Sequence, residues 1–330
     1  MRILVTGSSG HLGEALARTL LDLGHEVIGL DVVEGRYTNR LGSICDRAFV
    51  RRCIAGVTTV FHPATLHKPH VATHARQDFL DVNLTGTLNL LEESVATGVE
   101  SFVYTSTTSV FGDALAPPVS EPAVWVTEDM ADVPKNIYGV TKAAAEDLCQ
   151  LFSRNQGLST MVLRTSRFFP EEDDDRSVRA RYSDDNLKTN EYLYRRVDIE
   201  DVVSAHLLAA RRAPVLGFRR YIISATTPFL PEDLPSLRAH APLIVRRRVP
   251  GYDAAYAQHG WTMPQGIDRV YVNQRAREEL GWTPRHDFAA IVARLQAGED
   301  IRSPLARLIG SKGYHAENFS DGPYPVDAKP

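Results

Sequence analysis

The stretch that most constrains this chain is TGSSGHLG, residues 6–13, which follows the apolar run Ile3, Leu4 and Val5 and continues directly into HLGEALARTLLDLG. A strand ending at Thr6 that turns through glycines into a helix aims free backbone N–H groups and the positive helix end at one point. A pyrophosphate suits that point. Gly7 permits the tight turn, Gly10 lets a phosphate approach the backbone, and Gly13 lets the helix pack close to the strand. Ser9, His11 and Leu12 share the same loop. Asp31 lies 18 residues beyond Gly13, at the end of a second strand, HEVIGLD, where a carboxylate accepts hydrogen bonds from adenosine ribose hydroxyls. Its charge would repel a 2′-phosphate, so NAD is expected over NADP, with Arg36 the one nearby residue that argues the other way. A mononucleotide P-loop is disfavoured because no Lys-Ser/Thr pair follows the glycines.

The pattern of alternating strands and helices continues to about residue 168. TTVFHPA, SFVYTSTTSVFG and STMVLRTSRFF read as strands, and FLDVNLTGTLNLLEESVATG and IYGVTKAAAEDLCQLFSRNQ as helices. Parallel neighbours need such long crossovers, so the expected fold class is α/β, a doubly wound parallel sheet with helices on both faces. Residues 196–226, with the helix DIEDVVSAHLLAARRA and the strand RRYIISA, return to that sheet. Residues 169–195 and 227–310 are expected to form a smaller C-terminal substrate-binding lobe, and residues 311–330 a polar tail rich in glycine and proline. The acidic run EEDDD at 171–175 reads as a solvated loop that moves on substrate entry, and the arginine pairs, including 195–196, as solvated faces.

Composition limits the partners. A net charge of -4, with 24% charged and 43% hydrophobic residues, provides no broad positive field for nucleic acid or anionic lipid. No run of about 18 apolar residues occurs, and the first strand opens at Arg2, so a cytoplasmic protein without a membrane partner is expected. Cys45, Cys53 and Cys149 are odd in number and lack a Cys-x-x-Cys pair, which points to reduced packing residues.

In YGVTK, Tyr138 and Lys142 stand four apart, so on a helix both side chains leave the same face. A phenol is a poor base at neutral pH, but an adjacent ammonium and an oxidised nicotinamide both favour the phenolate. Tyr138 would then take a proton from a substrate hydroxyl as hydride leaves its carbon. The hydroxyls of Ser106, Thr107 and Thr108 in the preceding strand would end at the carboxyl edge of the sheet, beside Thr105 and the nicotinamide.

Taken together, TGSSGHLG, Asp31, VFHPAT, VNLTGTLNLLE, FVYTSTTSVFG, YGVTK, VLRTSRFF, VDIEDVVSAHL and AREELGWTPRHDF resemble, in this order, the extended short-chain dehydrogenase/reductase superfamily, specifically its NAD-dependent epimerase/dehydratase branch with its Rossmann sheet. The resemblance implies a catalytic set of Thr107, Tyr138 and Lys142, with Lys142 also reaching the nicotinamide ribose. It sets His62, Ala64 and Asn83 along the cofactor, and Ser43, beside Ile44, where the family has an adenine-contacting Asp. The loop holding His67 and Lys68 would border the nicotinamide and touch substrate. A homodimer built on two long helices is common in this superfamily and is expected here.

Departures narrow the reaction. Sugar-nucleotide 4,6-dehydratases of this family carry an Asp-Glu pair after the catalytic Thr, and Thr108 and Ser109 stand there instead. This leaves either epimerisation through a transient ketone, as in UDP-glucose 4-epimerases, or net oxidation of a sugar or uronate with release of NADH. Phe169 occupies the place of an Asn that grips the diphosphate in nucleotide-sugar enzymes, and FPE resembles uronate dehydrogenases. Arg164 and Arg167 are candidates to pair with a substrate anion, Arg164 being the more structural of the two. His62, His67, His70 and His74 have no carboxylate partners nearby, so no metal site is expected. A non-catalytic NAD-binding regulator is the alternative of another class; a damaged Tyr/Lys pair would mark it, and the pair is intact.

Overall fold

The computed structural model describes residues 1–315, 319 and 322–325. Strand β1 (Arg2–Thr6) leads through the glycine turn to helix α1 (His11–Asp22), then β2 (Glu26–Asp31), a two-residue edge strand β3 (Arg40–Leu41), α2 (Arg47–Ile54) and β4 (Thr59–His62). Helix α3 (Gly86–Thr97), β5 (Ser101–Thr107), a short β6 (Val124–Val126), α4 (Ile137–Gln156) and β7 (Thr160–Thr165) follow. The chain continues with α5 (Asp184–Glu191), α6 (Ile199–Leu216), β8 (Phe218–Ile223), α7 (Leu234–Arg248), α8 (Tyr252–His259), β9 (Arg269–Tyr271), α9 (Gln274–Leu280), α10 (Phe288–Gln296) and α11 (Pro304–Ile309).

Seven strands form one parallel sheet in the order β3-β2-β1-β4-β5-β7-β8. Chain order reverses between β1 and β4, which opens a crevice at the carboxyl ends of these strands. The central strands are buried on both faces, as continuous runs such as Ser101–Thr107 require, while the edge strand β3 is exposed. One face packs on α1 and α6 through Leu12, Leu16, Val202 and Ala209. The other packs on α2, α3 and α4 through Val50, Leu90, Leu91 and Cys149. A third cluster, including Leu237, Val245, Tyr256 and Phe288, lies among α7, α8 and α10.

Three features depart from expectation. The helix read at FLDVNLTGTLNLLEESVATG is broken by a wider π turn over Leu80–Thr85. The parallel pair β6–β9 links Val124–Val126 with Arg269–Tyr271, and three-residue strands are too short for periodicity to reveal. The expected polar tail is in part a wall of the crevice, since residues 312–315 and Tyr324 line it; residues 316–318, 320–321 and 326–330 of that expected tail lie outside the described residues.

Candidate active site

The crevice is a cleft of about 940 Å³. At one end the glycine turn is held by its own backbone, with Gly10 N donating to Gly7 O at 3.0 Å. Gly7 has φ +64, and a Cβ on Gly13 would stand 1.8 Å from Gly7 O, so neither position accepts another residue without rebuilding the turn. Gly10 is different. Its backbone is ordinary (φ -77, ψ 171), and an added Cβ would press on Gly7 O at 3.3 Å, a tight contact but far looser than the one at Gly13, while also facing the cleft that Gly10 lines. Asp31 takes Ser9 N at 2.9 Å on one oxygen and Val33 N at 3.0 Å on the other. A carboxylate has about four acceptor positions, so capacity for ribose hydroxyls remains. Ser9, His11, Leu12, Ser43, Ile44 and Ala64 line the same cleft.

Two expected cofactor neighbours lie elsewhere. The His62 ring is fully buried under the turn, between Thr6 Oγ1 (2.8 Å) and Thr87 Oγ1 (3.0 Å), and burial holds its pKa well below the usual histidine value. Asn83 is also buried; its amide joins Leu66 O to Thr141 Oγ1, and its carbonyl accepts from Leu66 N. Both position loops that line the cleft and do not line it themselves.

At the other end, β5 delivers Thr105, Ser106, Thr107 and Thr108 to the cleft wall, opposite Tyr138 and Lys142 in the first turns of α4. Asn136 caps that helix by accepting from Gly139 N, which fixes where Tyr138 emerges. Burial, opposed by the neighbouring Thr107 hydroxyl, pushes the Tyr138 phenol up to about 12. Lys142 donates to Thr105 O at 2.5 Å and lies 4.1 Å from the centre of the Tyr104 ring. Burial lowers it to about 7, against the raising effect of Glu146. The Ser106 hydroxyl is engaged by the buried Glu146, to which it donates at 2.5 Å.

The outer rim holds the expected substrate residues. His67 stacks on Phe169 with ring centres 5.5 Å apart and lies 6.5 Å from the Tyr138 ring. Burial, and then the neighbouring His70, push its pKa well below the usual histidine value. Lys68 pairs with Asp174 at 2.6 Å. Arg167 lines the cleft but is already neutralised by Asp173 (2.5 Å) and Glu191 (3.0 Å). Arg164 is a structural residue: it is buried on Glu146 and Asp132, under the Phe111 ring.

A model of the NAD dependent epimerase/dehydratase family matches residues 3–223, two thirds of the chain. The chain belongs to this family. Its cofactor is therefore NAD, and it is an NAD-dependent enzyme. An uncharacterized protein, y4nG, of Sinorhizobium fredii is 37% identical over 49% of this chain, a match that spans 39% of that protein's own length. A 3-beta-hydroxysteroid dehydrogenase of Mycolicibacterium neoaurum is 26% identical over 86% of this chain and 87% of its own. The crystal structure of UDP-N-acetylglucosamine 4-epimerase from Bacillus cereus superposes with a TM-score of 0.63 at 19% identity, over 90% of this chain and 98% of that one, and shows a common fold.

As an epimerase/dehydratase family member, the chain has cleft residues that sequence reading missed or misjudged. The acidic run is not a solvated loop. Asp173 is buried on Arg167, Asp174 pairs with Lys68, and Glu171 accepts from His11 Nε2 at 2.8 Å. Burial alone would raise Glu171, but His11 and Ser311 hold it down at about 2. Nor are Arg195 and Arg196 a solvated face, because both close on the buried Glu191, at 2.8 and 2.9 Å. Arg195 and Arg269 line the cleft, and each keeps a buried Nε without a partner among the described residues. Glu171 and Asp174 have partners more than 100 positions away, which no local pattern marks, whereas the Glu191–Arg195 spacing of four was a signal within reach of the sequence. Outside the cleft, Asp198, Glu200 and His286 gather closely. Arg294 donates to His286 Nδ1 at 2.7 Å, so the Nε2 facing the two carboxylates carries hydrogen and offers no lone pair to a metal.

Proposed function

We propose that this enzyme epimerises an anionic sugar derivative of the nucleotide-sugar type, oxidising a secondary alcohol and then returning the hydride. Bound NAD supplies the hydride acceptor. Tyr138 accepts the hydroxyl proton as the C–H hydride departs, and gives it back when hydride returns to the opposite face of the ketone. Thr107 bonds the reacting oxygen, and Lys142 steadies the phenolate. The observation that carries the reading is that Thr107, Tyr138 and Lys142 line the same cleft as the glycine turn. The positive charges of Arg195 and Arg269 on the cleft wall support an anionic handle on the substrate.

A second reading, net dehydrogenation with release of NADH, is favoured by the long match to a hydroxysteroid dehydrogenase. Arg195 and Arg269 on the wall would give an anionic substrate partners that a steroid has no use for. Incubation with NAD and a panel of UDP-sugars, free uronates and a 3β-hydroxysteroid separates the readings. Interconversion of two UDP-sugars without net absorbance at 340 nm is the expected result; stoichiometric NADH from a uronate or steroid would overturn it. Tyr138→Phe should lower turnover by about 10²- to 10⁴-fold and leave NAD binding, read by calorimetry, within about twofold. Unchanged turnover would remove Tyr138 from the mechanism.

A further inference from the structure

We propose that residues 311–315 form a strap that holds the dinucleotide in its cleft and opens for cofactor exchange. The inference rests on the NAD site and is independent of the sugar reading. The chain leaves α11 through Gly310 (φ +61) and turns again at Gly313 (φ +68), two left-handed positions that suit glycine. Between and beyond them it crosses from one bank of the cleft to the other.

On the bank formed by the glycine turn and α1, Lys312 pairs with the Glu14 carboxylate. On the bank that follows β4, His70 Nε2 donates to Tyr314 O at 3.1 Å, and His315 Nε2 donates to Pro69 O at 3.0 Å. Glu171 is the keystone between them. Its Oε1 accepts from Ser311 Oγ at 2.8 Å, Lys312 N at 3.1 Å and Gly313 N at 3.2 Å, and its Oε2 accepts from Tyr314 OH at 3.0 Å. The same Oε1 meets His11 Nε2 at 2.8 Å, so the keystone is tied to the glycine loop itself. The Tyr314 ring closes the gap, 5.0 Å from His67 and 5.9 Å from Phe169.

A segment anchored on both banks cannot let a long ligand pass sideways while its contacts hold. Those contacts are hydrogen bonds and ion pairs on five residues of chain, 311–315, each contributing about 0.5 to 1.5 kcal/mol net, which permits transient opening. An enzyme that returns its hydride keeps the strap closed through the cycle, whereas one that releases NADH must open it at every turnover.

The test is NADH release from the full-length protein, followed by stopped-flow fluorescence after mixing with excess NAD. The double variant Lys312→Ala/Tyr314→Ala, and separately Glu171→Gln, should release NADH at least tenfold faster than the parent, with the Kd rising through the off-rate. Lys312→Arg should keep the parental rate. Unfolding midpoints of the variants within a few degrees of the parent establish that the fold is retained. Equal or slower release from both variants would overturn the strap. Because release is read without any sugar, failure of the epimerase reading would leave this result interpretable.

Discussion

Gly10 and Gly13 are three residues apart in one turn, and the physical reasons for them differ. At Gly13 a methyl group would overlap Gly7 O, at 1.8 Å, so Gly13→Ala forces α1 away from β1. At Gly10 the backbone is one that alanine adopts freely, and a methyl group would meet Gly7 O at 3.3 Å at the edge of the cleft that Gly10 lines. Gly13→Ala should therefore destabilise the fold by about 1 to 3 kcal/mol or more, the scale of overpacking a close contact, and lose NAD binding with it. Gly10→Ala should leave stability within about 0.5 kcal/mol while weakening NAD by tenfold or more. Urea unfolding beside NAD titration distinguishes the two; equal damage to stability would refute the distinction. Sequence spacing located all three glycines, because the turn is local, and it located Tyr138 and Lys142 because one helical period joins them. It placed His62 and Asn83 along the cofactor by family likeness, whereas their side chains satisfy each other's loops beneath the cleft. Whether a side chain points into a crevice or under its floor depends on neighbours such as Thr87 and Thr141 that lie 25 and 58 positions away.

At the scale of elements, the strands and helices of the sheet were legible because each carries its own burial pattern, a continuous apolar run or an amphipathic stripe. The segment from Arg167 to Arg196 was not, since its structure comes from charge pairing. Glu191, at the end of α5, is buried against Arg167, Arg195 and Arg196, and these three outweigh its burial to hold it at about 2. An unfolded-state Glu titrates near 4.3. Its folded value is the lower of the two, so the stabilisation is complete above about pH 5 and is lost as pH falls toward 2. Glu191→Gln should cost roughly 3 to 5 kcal/mol at neutral pH, as for a buried charge group stripped of its partner. It should also flatten the acid limb of a stability-against-pH curve between about pH 5 and pH 2. A variant whose acid limb matches the parent's would show that the cluster contributes nothing there.

The molecule as a whole is joined more closely than the family match, which ends at residue 223, would suggest. Ala276, Leu280, Trp282 and Ile309 pack into the same cluster as Leu12, Leu16 and Val202, under the sheet that carries the NAD cleft. Trp282 is 1% exposed, and its Nε1 donates to Ser204 Oγ of α6 at 2.9 Å. The last turns of the chain then leave this cluster at Ile309 to form the strap. Trp282→Ala should cost about 3 to 5 kcal/mol, as for emptying a large buried aromatic site, and should lower the midpoint of one cooperative transition without splitting it in two. Since Trp282 does not line the cleft, NAD affinity of the folded fraction should be unchanged. Saturating NAD at about 100 times its Kd should then return about 2.7 kcal/mol of the loss by linkage. Two separate transitions by calorimetry, with the NAD-dependent one unmoved by Trp282→Ala, would mean that the C-terminal third is an independent cap, and the coupling between core, strap and cofactor argued from this packing would fall with it.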